Sequence, residues 1–578
     1  MSQETATEGR GAPTSDPEGR GERRRRAIGL GLAPLAFAAV WLAPLDLEVA
    51  AHRLAAVVAA TVVLWVSEAI PLAATALLAP AVAALLGVTS ASAAFAPIAS
   101  PLIFLFLGGF MIASALAVHG MDRRAALWLL SRPGIAGSPR RALWAVAVAS
   151  FAASMWISNT ATTATLLPVA LGLCAAMGRF LPADDPAVAE RHRRYSAGML
   201  LALAYASSLG GLTTPIGTAP NVIALDLLER QAQIRLDFFE WMSFALPVGA
   251  ATLIGLLAWV SVRFAPPVAR IEGLQATIAA ELRALGPVRP AERRALAIFA
   301  LAVVGWLTPS VLKLALGPAD PWSAWALSSL DEGVVAIVAA GLLFVVPRGA
   351  GRRGAEGDGG GADGGGAGGG GTDGGGMGHG GADGGGAGGG GAGHGGTGHG
   401  GADGGGAGGG GAGLGGPLLR WEDATRIDWG TLYLLGGGLA LGKMMFDTGL
   451  AAALARGALG MAGPLADSPF GIMAAATVLM TALTEIASNT AATSMMIPVL
   501  LAIAAELGVG PLPLVLCVTL AASNAFMLPV STPPNAIVYG SGHIRLGEMI
   551  RAGALLDVIG ALILITAGAL LLPLLGLR

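Results

Sequence analysis

Apolar stretches long enough to cross a bilayer recur from Ile28 to the end of the chain, and this recurrence sets the solvent in which most of the chain folds. A transmembrane helix needs about 20 predominantly apolar residues. Windows near that length fall at Ile28–Pro44, Leu54–Val66, Ala69–Leu86, Leu102–Val118, Ala197–Leu225, Trp241–Val262, Ala295–Leu316, Gly333–Val346, Thr431–Phe446, Leu512–Val538 and Ala552–Leu575. They predict an all-α polytopic membrane protein with about 11 transmembrane helices. Charged residues make up 12% of the 578, about half the share of a soluble domain.

Charge gives sidedness and excludes partners. A formal net charge of −2, with Lys313 and Lys443 the only lysines, provides no basic surface for nucleic acid. Arg23, Arg24, Arg25 and Arg26 precede the first window. A signal peptide shares that charged front end, but no small-residue cleavage site and soluble domain follow, so the run reads as an uncleaved span with its arginines inside. The expectation is a multi-pass protein of the inner (cytoplasmic) membrane whose N-terminus, residues 1–27, is disordered and cytoplasmic. Cys174 and Cys517 sit in apolar stretches and build neither a disulfide framework nor a zinc cluster.

One segment breaks the apolar pattern. Residues 349–416 hold 43 of the 88 glycines, and GADGGGAGGG starts at Gly361, Gly381 and Gly401. Having no bulk to bury, residues 348–418 are expected to form a disordered cytoplasmic tether, its ends ~45 Å apart on average if it behaves as a free coil. His379, His394 and His399, diluted in glycine, read as solvated linker rather than as a metal-binding tract. The tether separates a first membrane half, residues 28–347, from a second, residues 419–578.

Two further apolar blocks, residues 143–181 and 471–507, are too long for one helix, and each carries a Ser/Asn/Thr break at its centre. Arg132, Arg140 and Arg141 before the first block, and Arg179, Arg191, Arg193 and Arg194 after it, put both of its ends on the cytoplasmic side. The simplest path is a re-entrant hairpin turning at the break. Such backbone is tolerated at that depth only where it is buried in protein or lines a cavity. The second block has few flanking charges, and the span count makes it extracytoplasmic.

The two halves echo each other. FLFLGGFMIA, with Gly108 and Gly109, matches LYLLGGGLAL, with Gly436 and Gly437, at an offset of 328. Ser154 to Pro168 matches Thr484 to Pro498 at 330, and IGTAPNVIA from Ile216 matches VSTPPNAIV from Val530 at 314. Hairpins opening from opposite faces make the repeat inverted, the arrangement by which many secondary transporters place a site near the bilayer midplane.

The breaks carry polar chemistry. Ser158-Asn159-Thr160 and Ser488-Asn489-Thr490 offer hydroxyls, amides and unpaired backbone N–H groups, which suit an anion such as a carboxylate or sulfate. No Lys or Arg lies between Leu143 and Met177 or between Gly471 and Leu507, so the hairpins supply no fixed cationic side chain. Broken backbone also frees carbonyls, which with Asn and Ser/Thr oxygens make a cage for a small cation. Sodium would then serve as both coupling ion and neutralising charge.

Paired SNT breaks, each followed by a G/S-T-x-P-N interruption, resemble the divalent anion:sodium symporter (DASS) family, as does Trp65-Val66-Ser67-Glu68-Ala69-Ile70-Pro71 with Pro80. The resemblance covers nearly all of residues 28–578 except the tether, which is not part of the family pattern; Ser531 and Ala219 stand at positions that vary among members. It implies a homodimer in which a scaffold domain holds the interface and a transport domain moves as an elevator. It also implies cargo of dicarboxylates, tricarboxylates or sulfate, usually with sodium and in some members by exchange without it. Carried onto this chain, a first sodium site would use Ser154, Ser158, Asn159 and the Gly217 carbonyl. A second would use Thr484, Ala487 and Asn489, with backbone from Ser531. The anion would meet Ser158, Asn159, Thr160, Thr218, Ser488, Asn489, Thr490, Thr532 and Pro533. Glu485 reads either as a polar support behind the second ion site or as a snorkelling structural residue, and Glu68 as structural.

The expectation is therefore a sodium-coupled (Na+) elevator symporter of C4-dicarboxylate anions such as succinate, malate and fumarate, with no organic cofactor. Alternatives are a sulfate or citrate carrier, or a sodium-independent exchanger. An enzyme would need a nucleophile with a base, or a metal cluster, yet His52, His119, His192 and His543 lie near span ends or in loops, away from every motif. A channel needs a continuous pore, which two opposed hairpins would plug. No GxxxxGK[ST] pattern supports direct drive by ATP.

Overall fold

Helix starts in this chain are marked by proline in the first turn, where its missing N–H would have gone unbonded in any case. Pro101, Pro139, Pro186, Pro290 and Pro469 each open a helix this way. The computed structural model describes residues 17–132, 134–135, 137–182, 185–270, 274–349 and 416–575. The expectations for residues 1–16 and for the glycine-rich residues 350–415, with their three histidines, lie outside the described residues. Among the described residues the fold is all-helical, its only β pairing an isolated bridge between Pro347 and Pro417.

Eight helices are long and apolar enough to cross a membrane, or up to ten if each of two bent pairs counts as one span. The expected eleven differ because continuous hydropathy conceals breaks. The window at 197–225 is two helices, Pro186–Gly211 and Ala219–Ala232, and that at 512–538 is Leu512–Ala521 followed by Pro533–Gly540. Conversely, Asn159–Gly178 and Asn489–Leu507, both among the eight, are the second arms of the two broken blocks.

The order of elements runs through twice. Val49–Ser67, Leu72–Leu85, Ala91–Phe95, Pro101–Val118, Met121–Leu130, the first broken block, the first broken helix and Phe238–Arg263 come first. Pro290–Leu316, the bent pair Pro321–Ser329 and Glu332–Val345, Trp421–Ala424, Trp429–Asp447, Leu450–Ala462, the second broken block, the second broken helix and Leu546–Leu574 come second. Matched glycines in the left-handed region, Gly120 at φ 68° and Gly449 at φ 74°, open Met121–Leu130 and Leu450–Ala462. The double-glycine pairs serve close helix crossings between the two runs. A Cβ at Gly108 would stand 2.6 Å from the Ala336 backbone, and one at Gly437 would stand 2.0 Å from the Ala76 carbonyl oxygen. The broken helices occupy the centre: every residue from Tyr195 to Gly211 is buried, so this helix is apolar all round rather than striped.

Two boundaries differ from expectation. The first helix begins at Pro17, within the stretch expected to be disordered, because proline can open a helix and arginines propagate one. The ends of the glycine-rich segment meet rather than lie far apart: the Arg348 N–H donates to the Gly416 carbonyl at 2.8 Å, and the Leu418 N–H to Val346 at 3.0 Å. Leu418, expected to lie in the tether, is fully buried, as is Leu419. Loop-closure entropy grows so slowly with length that a few backbone bonds and two buried leucines can hold such an excursion shut. Replacing residues 350–415 with a four-residue Gly/Ser turn is expected to raise stability by about 2 kcal/mol through the shorter closed loop, measured by thermal unfolding in detergent. A lower melting temperature would contradict the closed-loop account.

Candidate functional site

Each broken block turns at a serine. Helix Pro139–Ser154 stops, residues 155–158 turn, and Asn159–Gly178 starts with Ser158 as its N-cap, accepting from the Ala161 N–H at 3.3 Å. Pro469–Thr484 and Asn489–Leu507 repeat the arrangement, with Ser488 accepting from the Ala491 N–H at 3.5 Å. Downstream, each broken helix restarts behind a threonine followed by proline in the first turn. Thr218 stands at the N-cap position of Ala219–Ala232 without a side-chain bond to it, and Thr532 caps Pro533–Gly540, accepting from the Asn535 N–H at 3.4 Å.

These four caps, Ser158, Thr218, Ser488 and Thr532, line a single cavity of about 550 Å³. Asn159, Thr160, Asn489, Thr490 and Pro533 line it too, so the fold brings together all nine residues carried over for the anion. No lysine or arginine is among the lining residues, and the two acids there are engaged. Glu68 pairs with Arg25 at 2.6 Å, and Asp428 caps Trp429–Asp447 by accepting from the Thr431 N–H at 3.0 Å. Among the lining residues, positive charge is therefore limited to the partial charges of helix starts. Each carries about half an elementary charge, so four amount to about two before screening.

Behind the first tip, Ser154 donates to Asn159 Oδ1 at 2.6 Å. Ser207 Oγ lies 3.2 Å from Ser154 Oγ and 2.9 Å from the Asn159 carbonyl, its one proton serving either acceptor. The tip can seat here only because its neighbours are glycines. A Cβ on Gly211 would lie 2.2 Å from Asn159 Oδ1, and one on Gly210 would lie 2.1 Å from the Phe151 carbonyl oxygen.

The second tip is supported differently. Thr484 turns its hydroxyl onto its own helix, donating to the Met480 carbonyl at 3.0 Å, and Asn489 Oδ1 is buried without a donor. Glu485 is buried and accepts from the Met527 N–H at 3.0 Å, the Leu528 N–H at 3.1 Å and the Ser531 hydroxyl at 2.6 Å. Of the two roles open for Glu485, this geometry matches the polar support, since the carboxylate points into the broken backbone rather than toward a membrane surface.

The oxygens left over fit a small hard cation. The carbonyls of Gly217 and Ser531 accept no hydrogen bond among the described residues, and both residues line the cavity with Ala487. Ser154 and Thr484 lie just outside it, fully buried. Among the described residues no group of three or more His, Cys, Asp or Glu could hold a metal ion, so the candidate ligands are backbone, amide and hydroxyl oxygens. Sequence reasoning missed Ser207, which is embedded in an apolar run. It also read Thr218 and Thr532 as parts of breaks rather than as helix caps, although threonine just before a first-turn proline is a helix-start signature.

Residues 26–577 match the family described as the sodium:sulfate symporter transmembrane region. The sodium-dependent dicarboxylate transporter SdcS of Staphylococcus aureus (strain USA300) is 29% identical over 552 residues, covering 94% of this chain and 91% of SdcS. SdcS of strain bovine RF122 / ET3-1 matches to the same extent, at 29% over 552 residues. The crystal structure of the Alcanivorax borkumensis YdaH transporter covers 83% of this chain and 85% of its own, at 13% identity and a TM-score of 0.46. The family match runs without interruption through both SNT turns, both broken helices and the caps that meet at the cavity, and the chain belongs to the sodium:sulfate symporter family of membrane transporters.

Proposed function

We propose that this protein is a sodium-coupled symporter of C4-dicarboxylate anions. The observation that carries the reading is the convergence of four helix starts on one cavity with no lysine or arginine in its lining. A dianion is matched there by peptide dipoles, without a guanidinium that would have to be desolvated on every turnover. Peptide dipoles alone bind a doubly charged ion weakly where water competes. The free Gly217 and Ser531 carbonyls and Asn489 Oδ1 then hold sodium beside the anion, so that each ion strengthens binding of the other. The first cation site uses Ser154, Ser158, Asn159 and the Gly217 carbonyl. The second uses Thr484, Ala487, Asn489 and the Ser531 backbone.

Support for the cargo comes from the name of SdcS, a sodium-dependent dicarboxylate transporter. Sulfate, named in the family's description, is the second reading. The meeting of both SNT tips in one cavity supports hairpins that enter from opposite faces of the inner membrane, the first from the cytoplasm, in an inverted repeat. The hairpins and broken helices move together as an elevator against a scaffold held in a homodimer. The arginine run at Arg23 to Arg26 keeps the N-terminus inside.

Uptake of radiolabelled succinate into proteoliposomes tests the proposal. Uptake should require an inward sodium gradient, fail with potassium in its place, and be competed by malate and fumarate. Competition by sulfate but not malate would move the assignment to sulfate. Uptake that needs internal dicarboxylate regardless of sodium would make the protein an exchanger. Asn159→Ala and Asn489→Ala should each cut uptake by about tenfold or more, because each leaves buried polar groups of ion and tip unpaired, while elution on gel filtration stays that of the wild type. Gly211→Ala should also abolish uptake, since its methyl would occupy the space of the Asn159 side chain; wild-type rates in this variant would contradict the seating of the tip.

A further inference from the structure

We propose that Asn221 and Asn535 are the positioning residues of the two cation sites, one for each, an inference that rests on the sodium-coupled reading above. In an unbroken helix the N–H of each residue bonds the carbonyl four residues earlier. The N–H of Asn221 would then take the Gly217 carbonyl, and that of Asn535 the Ser531 carbonyl. Neither does. The Asn221 N–H donates to the Thr218 carbonyl at 3.2 Å, and the Asn535 N–H to the Thr532 hydroxyl at 3.4 Å. This diversion is what leaves the Gly217 and Ser531 carbonyls without a hydrogen bond.

The side chains of the same two residues hold the break in place. Asn221 Nδ2 donates to the carbonyls of Gly211 at 3.1 Å and Thr214 at 2.7 Å, with Leu212 at 3.3 Å. Asn535 Nδ2 donates to the carbonyls of Ala525 at 3.1 Å and Leu528 at 3.0 Å. The partners lie ten and seven residues upstream in both cases, so the clamp is repeated at the 314-residue offset of the motif. Both asparagines are fully buried, which leaves no water to take over these carbonyls. Each Oδ1 lacks a donor, and flipping the amide would set oxygen against oxygen, so the donor role is dictated by the surroundings. In the first half the loop folds back onto the clamped carbonyl itself: a Cβ on Gly217 would lie 2.2 Å from the Gly211 oxygen. Without the clamp the Gly211 and Ala525 carbonyls become free acceptors, Thr214 and Leu528 keep only the N–H bonds of Gly217 and Ser531 at 3.3 and 3.2 Å, and the loop loses the brace that fixes the candidate ligand residue beside the cavity.

Asn221→Asp and Asn535→Asp keep the shape and remove the donors. Purified full-length wild type and variants are unfolded thermally across a sodium series, with choline chloride holding ionic strength constant, and the sodium concentration for half-maximal stabilisation is read. Each variant should need about tenfold more sodium or greater, as second-layer supports of metal ligands usually do when removed, while unfolding in choline alone gives the baseline that a purely structural role would move instead. If an aspartate variant does not fold, Asn221→Ser or Asn535→Ser, which cannot span to both carbonyls, is read in its place. Folded variants whose half-maximal sodium stays within twofold of wild type overturn the positioning role and leave the sodium reading standing. A wild type that sodium does not stabilise at all overturns both.

Discussion

A backbone that breaks inside a membrane must settle every donor and acceptor it frees, because no water is at hand to do so. The rest of this structure depends on how two breaks per half are settled. Serine and threonine caps take some of the freed N–H groups, Glu485 takes those of Met527 and Leu528, and the amides of Asn221 and Asn535 take carbonyls upstream. Some of the groups that remain unsettled belong to residues lining one cavity: helix-start N–H groups, which suit an anion, and a few carbonyl and amide oxygens, which suit a cation. In the proposed function, the substrate and its coupling ion complete the hydrogen bonding left open at this cavity.

Close approach of backbones is the second requirement, and small residues meet it. Gly210 and Gly211 let the first tip press onto a fully buried helix, while Gly108 and Gly437 let helices of the two runs cross almost backbone to backbone. The two halves are similar without being equal. The first tip is braced by neutral hydroxyls, Ser154 and Ser207, whereas the second leans on the carboxylate of Glu485, at a position where the first half has Met155. The second tip therefore has a carboxylate behind it where the first has none, and the electrostatics of the two halves differ.

Much of this was legible in the residues. The two overlong apolar blocks with central SNT, the interruptions downstream of them and the repeat offsets pointed to the turns and the broken helices, and the family resemblance named nine residues that line one cavity. Three things were hidden for physical reasons. Hydropathy averages over a window, so a buried helix that breaks and restarts, as at 212–218, reads as one long span. Leu450–Ala462 was overlooked because 13 residues are too short for a spanning window. Composition reports how a segment behaves between its ends but not where the ends are held, so the pairing of Arg348 with Gly416 could not be read from glycine content.

The central claim is that both SNT tips face one bound anion. Thr160 and Thr490 line the cavity from the two halves, and the native cysteines, Cys174 and Cys517, are both buried and so contribute little background. The direct measurement is the rate at which a small thiol reagent labels Thr160→Cys and Thr490→Cys, each in otherwise wild-type protein, with sodium and succinate together and with each alone. The account predicts that sodium plus succinate slows labelling at both positions by a common concentration dependence, and that succinate without sodium slows neither. Protection at one tip only, or at neither, would contradict it.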